Sequence, residues 1–318
     1  MVSRFVHSGY LTLLLCGVYC LAVGTWVPGF FTLENAHNVL LALLPLLVVA
    51  TGQTVVLMTA GIDLSVTSII AITSVIGAQL ITSDGGPLAE NWLATPIAAI
   101  AMLCLGVGLG LANGICVAVL KMPAFIATLT SMMFLSGLAI WWTQSEQIYN
   151  LPRSFLSIGN QLGSVLLITI LLTGSVHFLI NRTLFGMRLR AVGHNPLAAR
   201  TSGVPVSKTI VWAYVLSGFT AALASVLITG QLETGSPVQW ENNLLDIVGA
   251  TVIGGTSLYG GRGSVIWTAS GVLLLSLIDS SLNLLSLSHF TIMMIKGAVI
   301  LLAALLDTLR YRVNEGNH

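Results

Sequence analysis

Few side chains in this sequence could do proton or ion chemistry, and most of them stand alone. Asp63 lies in the run Thr59-Ala60-Gly61-Ile62-Asp63-Leu64-Ser65. There it could cap the following helix through nearby amides, or join Ser65 and Thr67 in offering acceptors and donors to a hydroxyl-rich solute. Asp279, Lys296 and Asp307 are the ionisable residues of the last apolar runs. Lys296 and Asp307 are about three helical turns apart, so they share a face without touching. Asp279 is placed to pair with Lys296 across the turn between two helices, a structural role. No chain of carboxylates resembles a proton relay. HExxH, GxSxG and Walker A patterns are all missing, so no catalytic residues are assigned and ATP hydrolysis would need a separate subunit. The four cysteines, Cys16, Cys20, Cys104 and Cys116, all sit in apolar runs without CxxC spacing, and the six histidines are dispersed. They read as small buried or lipid-facing thiols, with no metal site or cofactor implied.

The elements around these residues are membrane helices. Apolar residues make up 55% of the chain, charged residues 7%, and the mean hydropathy is +0.94. A chain of 318 residues with so little charge cannot cover a soluble globule. Its net charge of +1 gives no reason to expect nucleic acid. The apolar runs define about ten crossings of the lipid bilayer, at 8–27, 38–59, 64–82, 94–119, 123–143, 163–181, 209–230, 244–258, 265–283 and 290–309. The first could be mistaken for a signal peptide. At about 19 residues it is longer than a usual signal core, and it reads as a retained helix. The fold class is therefore all-α, a polytopic membrane protein. No linker or low-complexity segment marks a soluble domain, so 1–318 reads as a single integral membrane domain. Five crossings in each half would orient the halves oppositely and permit an inverted repeat, although no internal sequence match supports one.

Charge sets the orientation. Loops 28–37, 83–93, 231–243 and 284–289 hold Glu34, Asp84, Glu90, Glu233 and Glu241 and no lysine or arginine. The opposite side collects Arg4, Lys121, Arg262, Arg310, Arg312 and the cluster Arg182, Arg188, Arg190, Arg200 and Lys208. Ten of the 12 basic residues fall there, leaving Arg153 outside and Lys296 within the last span. The positive-inside rule puts that side, and with it both termini, in the cytoplasm.

The cluster occupies loop 182–208, which has no acidic residue and is the only sizeable polar surface on its side. Within it, Gly193-His194-Asn195-Pro196-Leu197-Ala198-Ala199-Arg200 reads as a turn and then a short helix. Asn195 is the cap, Pro196 takes the first helical position and Gly203 stops the helix. Ala198, Ala199 and Ser202 would give it a small-residue face suited to a groove in another protein. The alternative is a solvated basic loop.

Two crossings are interrupted. Five glycines fall in the eleven residues from Gly254 to Ser264, and Gly61-Ile62-Asp63-Leu64-Ser65 is a second break. Irregular backbone at membrane depth survives only where protein buries it or where it lines a wet cavity, so such breaks point to a transport path. Both could equally be tight surface turns.

Four motifs now occur in order. They are Gly61–Ser65, Lys121-Met122-Pro123-Ala124-Phe125-Ile126-Ala127-Thr128-Leu129, Ala191–Asn195 with Ala198-Ala199-Arg200 and Gly203, and Val252–Leu258 continuing through Gly260–Ser264. From about Val48 to Leu309 the chain resembles the permease subunit of ribose-type monosaccharide ABC importers, a group related to the branched-chain amino acid permeases. The resemblance implies an importer of the bacterial inner membrane, with a separate ABC ATPase subunit, a periplasmic sugar-binding protein and a second permease, either another copy or a paralogue. It maps the ATPase-coupling element onto Gly193, His194, Asn195, Pro196, Ala198, Ala199, Arg200 and Gly203. The translocation path would fall on Gly61, Asp63, Ser65, Asp246, Gly254, Gly255 and Thr256. Three residues depart from the pattern: Thr67 where a glycine is usual, His194 where a small or acidic residue is usual, and Leu244 in place of a common glutamate. An amino acid, autoinducer or nucleoside permease of the related group stands as an alternative. An ion-coupled secondary transporter is a further one, disfavoured by the lack of buried carboxylates.

The charge census makes one direct prediction. Cysteine introduced at Ser83 should label from the periplasm, and at Ser202 only after the inner membrane is permeabilised. Periplasmic labelling at Ser202 would reverse the orientation.

Overall fold

In a computed structural model the chain is a bundle of helices whose boundaries follow its apolar runs. The structure describes residues 10–89, 91–238 and 240–315, without the side chains of 306, 307 and 309–315. Arg4 and Glu90, and the side chains of Asp307, Arg310 and Arg312, therefore lie outside the described set. The helices are α1 (Tyr10–Trp26), α2 (Leu33–Leu57), α3 (Val66–Ile81), α4 (Ala94–Ala118), α5 (Ala124–Thr143), α6 (Arg153–Asn160), α7 (Leu162–Arg182), α8 (Leu184–His194), α9 (Pro196–Thr201), α10 (Val206–Leu232), α11 (Leu244–Ile253), α12 (Val265–Leu284) and α13 (His289–Glu315). Six of them (α2, α4, α5, α7, α10 and α12) are long and apolar enough to cross a membrane. The apolar stretches of α1, α3 and α13 are shorter.

The expected eighth crossing is cut short. α11 has ten residues, about 15 Å of helix against a hydrocarbon core of about 30 Å. Past it the backbone turns at Gly255, Gly260 and Gly261, whose φ angles of +89°, +81° and +74° a residue with a Cβ rarely adopts. Two helices were not expected from the sequence. α8 takes up 11 residues of the basic stretch expected as loop, including Arg188 and Arg190. α6 stands in the polar segment 144–162; it starts after Pro152, buries Phe155 completely and lays Gly159 on the backbone of α10.

Loops that the alternating scheme assigns to one side do meet. The Thr82 hydroxyl donates to the Tyr149 carbonyl at 2.7 Å, Ile148 bridges Gly235, and Ser280 donates to Asn35. At the other end residues 58–65, 182–206 and 254–264 gather.

Burial separates centre from rim. In their most apolar stretches α2 is 83% buried and α10 and α12 are 61% buried, whereas α4, α5 and α7 fall to 28%, 22% and 22%. The rim helices thus turn most of their surface outward, as lipid-facing helices do. In lipid, helices associate through close packing, and small residues make close packing possible. Gly106, Gly110 and Gly114 form such a seam on α4. A Cβ at Gly110 would land on the Tyr214 carbonyl oxygen of α10, and at Gly114 it would lie 2.9 Å from the Val211 Cα. Opposite them, a Cβ at Gly218 would meet the Gly106 carbonyl. Gly108, on the same helix, is exposed and faces open space.

Gly110→Leu should therefore prevent close approach of α4 and α10 and abolish a monodisperse protein in detergent, while Gly108→Leu should leave the size-exclusion profile unchanged. Similar profiles for the two variants would show that this seam is not what joins the helices.

Candidate functional site

Three segments far apart in sequence converge at the basic end of the bundle with only glycine between them. The Gly261 amide donates to the Met58 carbonyl at 2.9 Å. A Cβ at Gly193 would collide with that same carbonyl oxygen and with the Gly261 nitrogen. At Gly260 it would lie 2.8 Å from the Ala60 nitrogen and 2.9 Å from the Gly193 oxygen, and at Gly261 it would lie 2.7 Å from the His194 ring. The end of α8 is thus in backbone contact with both helix breaks.

From this junction the chain turns through a compact elbow. The Thr183 hydroxyl accepts from the Phe185 amide to open α8. Asn195 caps α9, its Oδ1 accepting from the amides of Leu197 and Ala198 at 3.0 Å each. Gly203 ends the turn at φ +82°. Val192, Ala199 and Val206 form a small cluster that holds α8, α9 and the start of α10 together. Among the described residues, none of the five basic side chains of this segment has an acidic partner.

Next to the junction Asp63 is fully buried, and Asp246 is buried as well, so the expected lack of buried carboxylates does not hold. A buried carboxylate must be hydrogen-bonded to persist. The Asp63 Oδ1 accepts from the Ser65 amide at 3.0 Å and the Ser65 hydroxyl at 2.6 Å, and its Oδ2 from the Ser217 hydroxyl at 2.8 Å. Asn113 donates to Ser65, while Thr128 and Tyr214 donate to the Ile62 carbonyl. The break is thereby tied to α4, α5 and α10.

At the opposite end a cavity of about 690 Å³ opens between α2, α10, α11, α12 and α13. Its upper wall carries Asn35, Asn38, Gln231, Asn242, Asn243 and Asn283, with Trp240 among them. Lys296 lies in the wall between two carboxylates, 2.7 Å from Asp246 and 3.1 Å from Asp279. Amide side chains donate and accept equally, which suits an uncharged solute with many hydroxyls.

Residues 35–304 match the family model described as branched-chain amino acid transport system / permease component. The chain belongs to this family. It is 37% identical over 286 residues to the ribose import permease protein RbsC of Bacillus subtilis (strain 168), covering 88% of this chain and 86% of that one. Identity is 33% over 293 residues to RbsC of Escherichia coli (strain K12), covering 90% and 89%. It is 34% over 319 residues to the L-arabinose transport system permease protein AraH of the same strain, covering 96% and 92%. No solved structure matches the chain. A transport permease needs no catalytic group of its own.

In this permease the residues expected on a translocation path divide into two places. Asp246 lines the cavity, while Gly61, Asp63, Ser65, Gly254, Gly255 and Thr256 do not. Gly61 and Gly254 are closely packed: a Cβ at Gly61 would lie 2.8 Å from the Tyr214 hydroxyl, and one at Gly254 would strike the Trp267 carbonyl. The residues expected to couple to an ATPase lie in one elbow, which differs from the expectation in two details. Gly193 and His194 close α8 rather than forming a separate turn. Ala199 faces the elbow's interior at 5% exposed, so the open face of α9 carries Leu197 at 73%, with Ala198 and Thr201. Of the three departures, Thr67 is buried, His194 rests against Gly261, and Leu244 packs on the core beside the cavity. The asparagines of the cavity were missed. Their signal was a concentration of amides in the loops that lack basic residues. The Asp279–Lys296 pair is present as expected, but Lys296 lies closer to Asp246.

Lys296→Met should lower stability by about 3–5 kcal/mol, because it leaves Asp246 buried without a counter-charge. The double variant Lys296→Met with Asp246→Leu should recover most of that loss in thermal unfolding of the detergent-solubilised protein. Equal losses in both would mean that the pair does not hold α11 to α13.

Proposed function

We propose that the chain is the membrane subunit of an ATP-binding-cassette importer that carries a monosaccharide across the bacterial inner membrane. The observation that carries this reading is the backbone junction of Met58, Gly193 and Gly261. Backbone held against backbone transmits displacement without side chains that could absorb it. A push on α9 would pass through α8 to the α2–α3 break and the α11–α12 break together. A separate ATPase subunit supplies that push from the cytoplasm, where the basic elbow would face it. The glycines at both breaks let the helices change direction there.

The cavity at the other end would take the solute from a periplasmic sugar-binding protein, and a second permease, another copy or a paralogue, would complete the path. Its amide-rich wall supports a neutral polyhydroxy solute. So do relatives whose names specify ribose, L-arabinose and galactose/methyl galactoside.

Because Leu197 and Ala198 form the open face of α9, Leu197→Glu and Ala198→Trp should each reduce co-purification of the ATPase, or leave hydrolysis running without uptake. The permease itself should stay folded. Charge reversal at Arg188 should do less at physiological salt, where exposed ion pairs contribute roughly 0–1 kcal/mol. Normal coupling in both α9 variants, with ATPase release by a lesion at Lys121, would overturn the assignment of this elbow as the docking site.

A further inference from the structure

The deepest cavity-lining residues on the four long helices are all apolar: Leu46 on α2, Ile228 on α10, Leu275 on α12 and Ile300 on α13. Polar at its mouth, the cavity therefore ends on an apolar floor. Beneath that floor, on α2, the side chain of Gln53 is 0% exposed, and neither its amide nitrogen nor its amide oxygen has a partner. Buried polar groups in native proteins are nearly always paired, so an amide with both ends unpaired calls for an explanation.

Its position supplies one. Asn35, Val39, Ala42 and Leu46 are the stripe that α2 presents to the cavity. At 100° per residue Gln53 stands five full turns below Asn35 on the same stripe, and about 10.5 Å below Leu46. Its neighbours fix the sector it faces. A Cβ at Gly52 would press on Thr220 of α10, and Thr54 shares a 2.7 Å hydrogen bond with Thr268 of α12. Gln53 projects between these two directions, on the side of α2 that Leu46 shares and that Ile228 of α10 and Leu275 of α12 face across the cavity. A second unpaired group follows farther down: the Thr256 hydroxyl, also fully buried, at the glycine break. The Thr256 methyl lies close to Gly263, which packs on Met58.

We infer that Leu46, Ile228, Leu275 and Ile300 form a closed apolar gate, and that Gln53 is the hydrogen-bonding station directly beyond it for the passing solute. When the gate parts, the amide offers one donor group and one acceptor to hydroxyls that have left the asparagine-lined mouth. Thr256 is the next such group on the way to the cytoplasmic end. This inference rests on the monosaccharide-importer reading for the identity of the solute, but not for the position of the path.

The test compares Gln53→Leu with wild type in proteoliposomes holding the permease, its ATPase and its binding protein. Replacing two unpaired polar atoms by an apolar side chain of similar size should leave the melting temperature unchanged or raise it. Maximal uptake of the sugar should fall roughly tenfold, the worth of one hydrogen bond at the barrier, while ATPase assembly is retained. Uptake within twofold of wild type would overturn the inference. So would a lowered melting temperature, which would make Gln53 a structural residue. A second arm needs no knowledge of the solute. Gln53→Cys in a background without Cys16, Cys20, Cys104 and Cys116 should react with a small hydrophilic thiol reagent during ATP turnover and not at rest. Labelling during turnover without monosaccharide uptake by the wild type would support the path and refute the solute class. Protection in both states would overturn the path.

Discussion

Backbone that leaves helical geometry inside a membrane protein has to find its hydrogen bonds within the protein, because the hydrocarbon offers none. This chain breaks its helices twice near one end and meets that requirement by joining the breaks. The Met58 carbonyl, released at the end of α2, is taken by the Gly261 amide, while Thr128 and Tyr214 serve the Ile62 carbonyl. Asp63 takes the Ser65 amide. Within the second break, Ser257 donates to the Arg262 carbonyl. Local turns satisfy much of each break, but the Gly261–Met58 bond joins the two, so neither could move far without disturbing the other. The end of α8 is wedged into the same place, which makes a surface elbow part of the interior.

α10 connects this junction to everything else. It leaves the elbow, supplies Ser217 and Tyr214 to the first break, forms the glycine seam with α4 and ends in the cavity wall with Gln231. Its pattern has no single apolar face, as expected of a helix surrounded by others. The charged groups at the far end follow another rule. Lys296 is shared by two carboxylates and ties the half-length α11 to α12 and α13, which compensates for the packing that a ten-residue helix cannot make by itself.

Much of the fold was legible because the membrane imposes a simple code. Apolar runs gave the helices to within a few residues, and the loops grouped by their charge do meet at one end of the bundle. The elbow was legible as well, since Asn195, Pro196 and Gly203 are strong local signals. Three features were not. α6 is only eight residues long, and its apolar positions make sense only once α10 lies beneath them. Ala199 carries no mark in the sequence of which way it faces; that depends on Val192 and Val206. The cavity was missed because its asparagines come from three separate segments and its glutamine from a fourth, and no local pattern unites them. The glycine motifs drew attention to two segments that meet as a joint, away from the cavity.

The junction also has a history in time. The donor to the Met58 carbonyl is an amide 203 residues later in the chain, and Ser217 follows Asp63 by 154 residues. At synthesis rates of about 5–20 residues per second, the first break is made roughly 10–40 s before its partner exists. Over that interval the Met58 carbonyl and the Asp63 Oδ2 have to be served by water. The first half of the protein must then wait at the wet face of the bilayer as an open joint, and settle only when the second half is threaded in beside it.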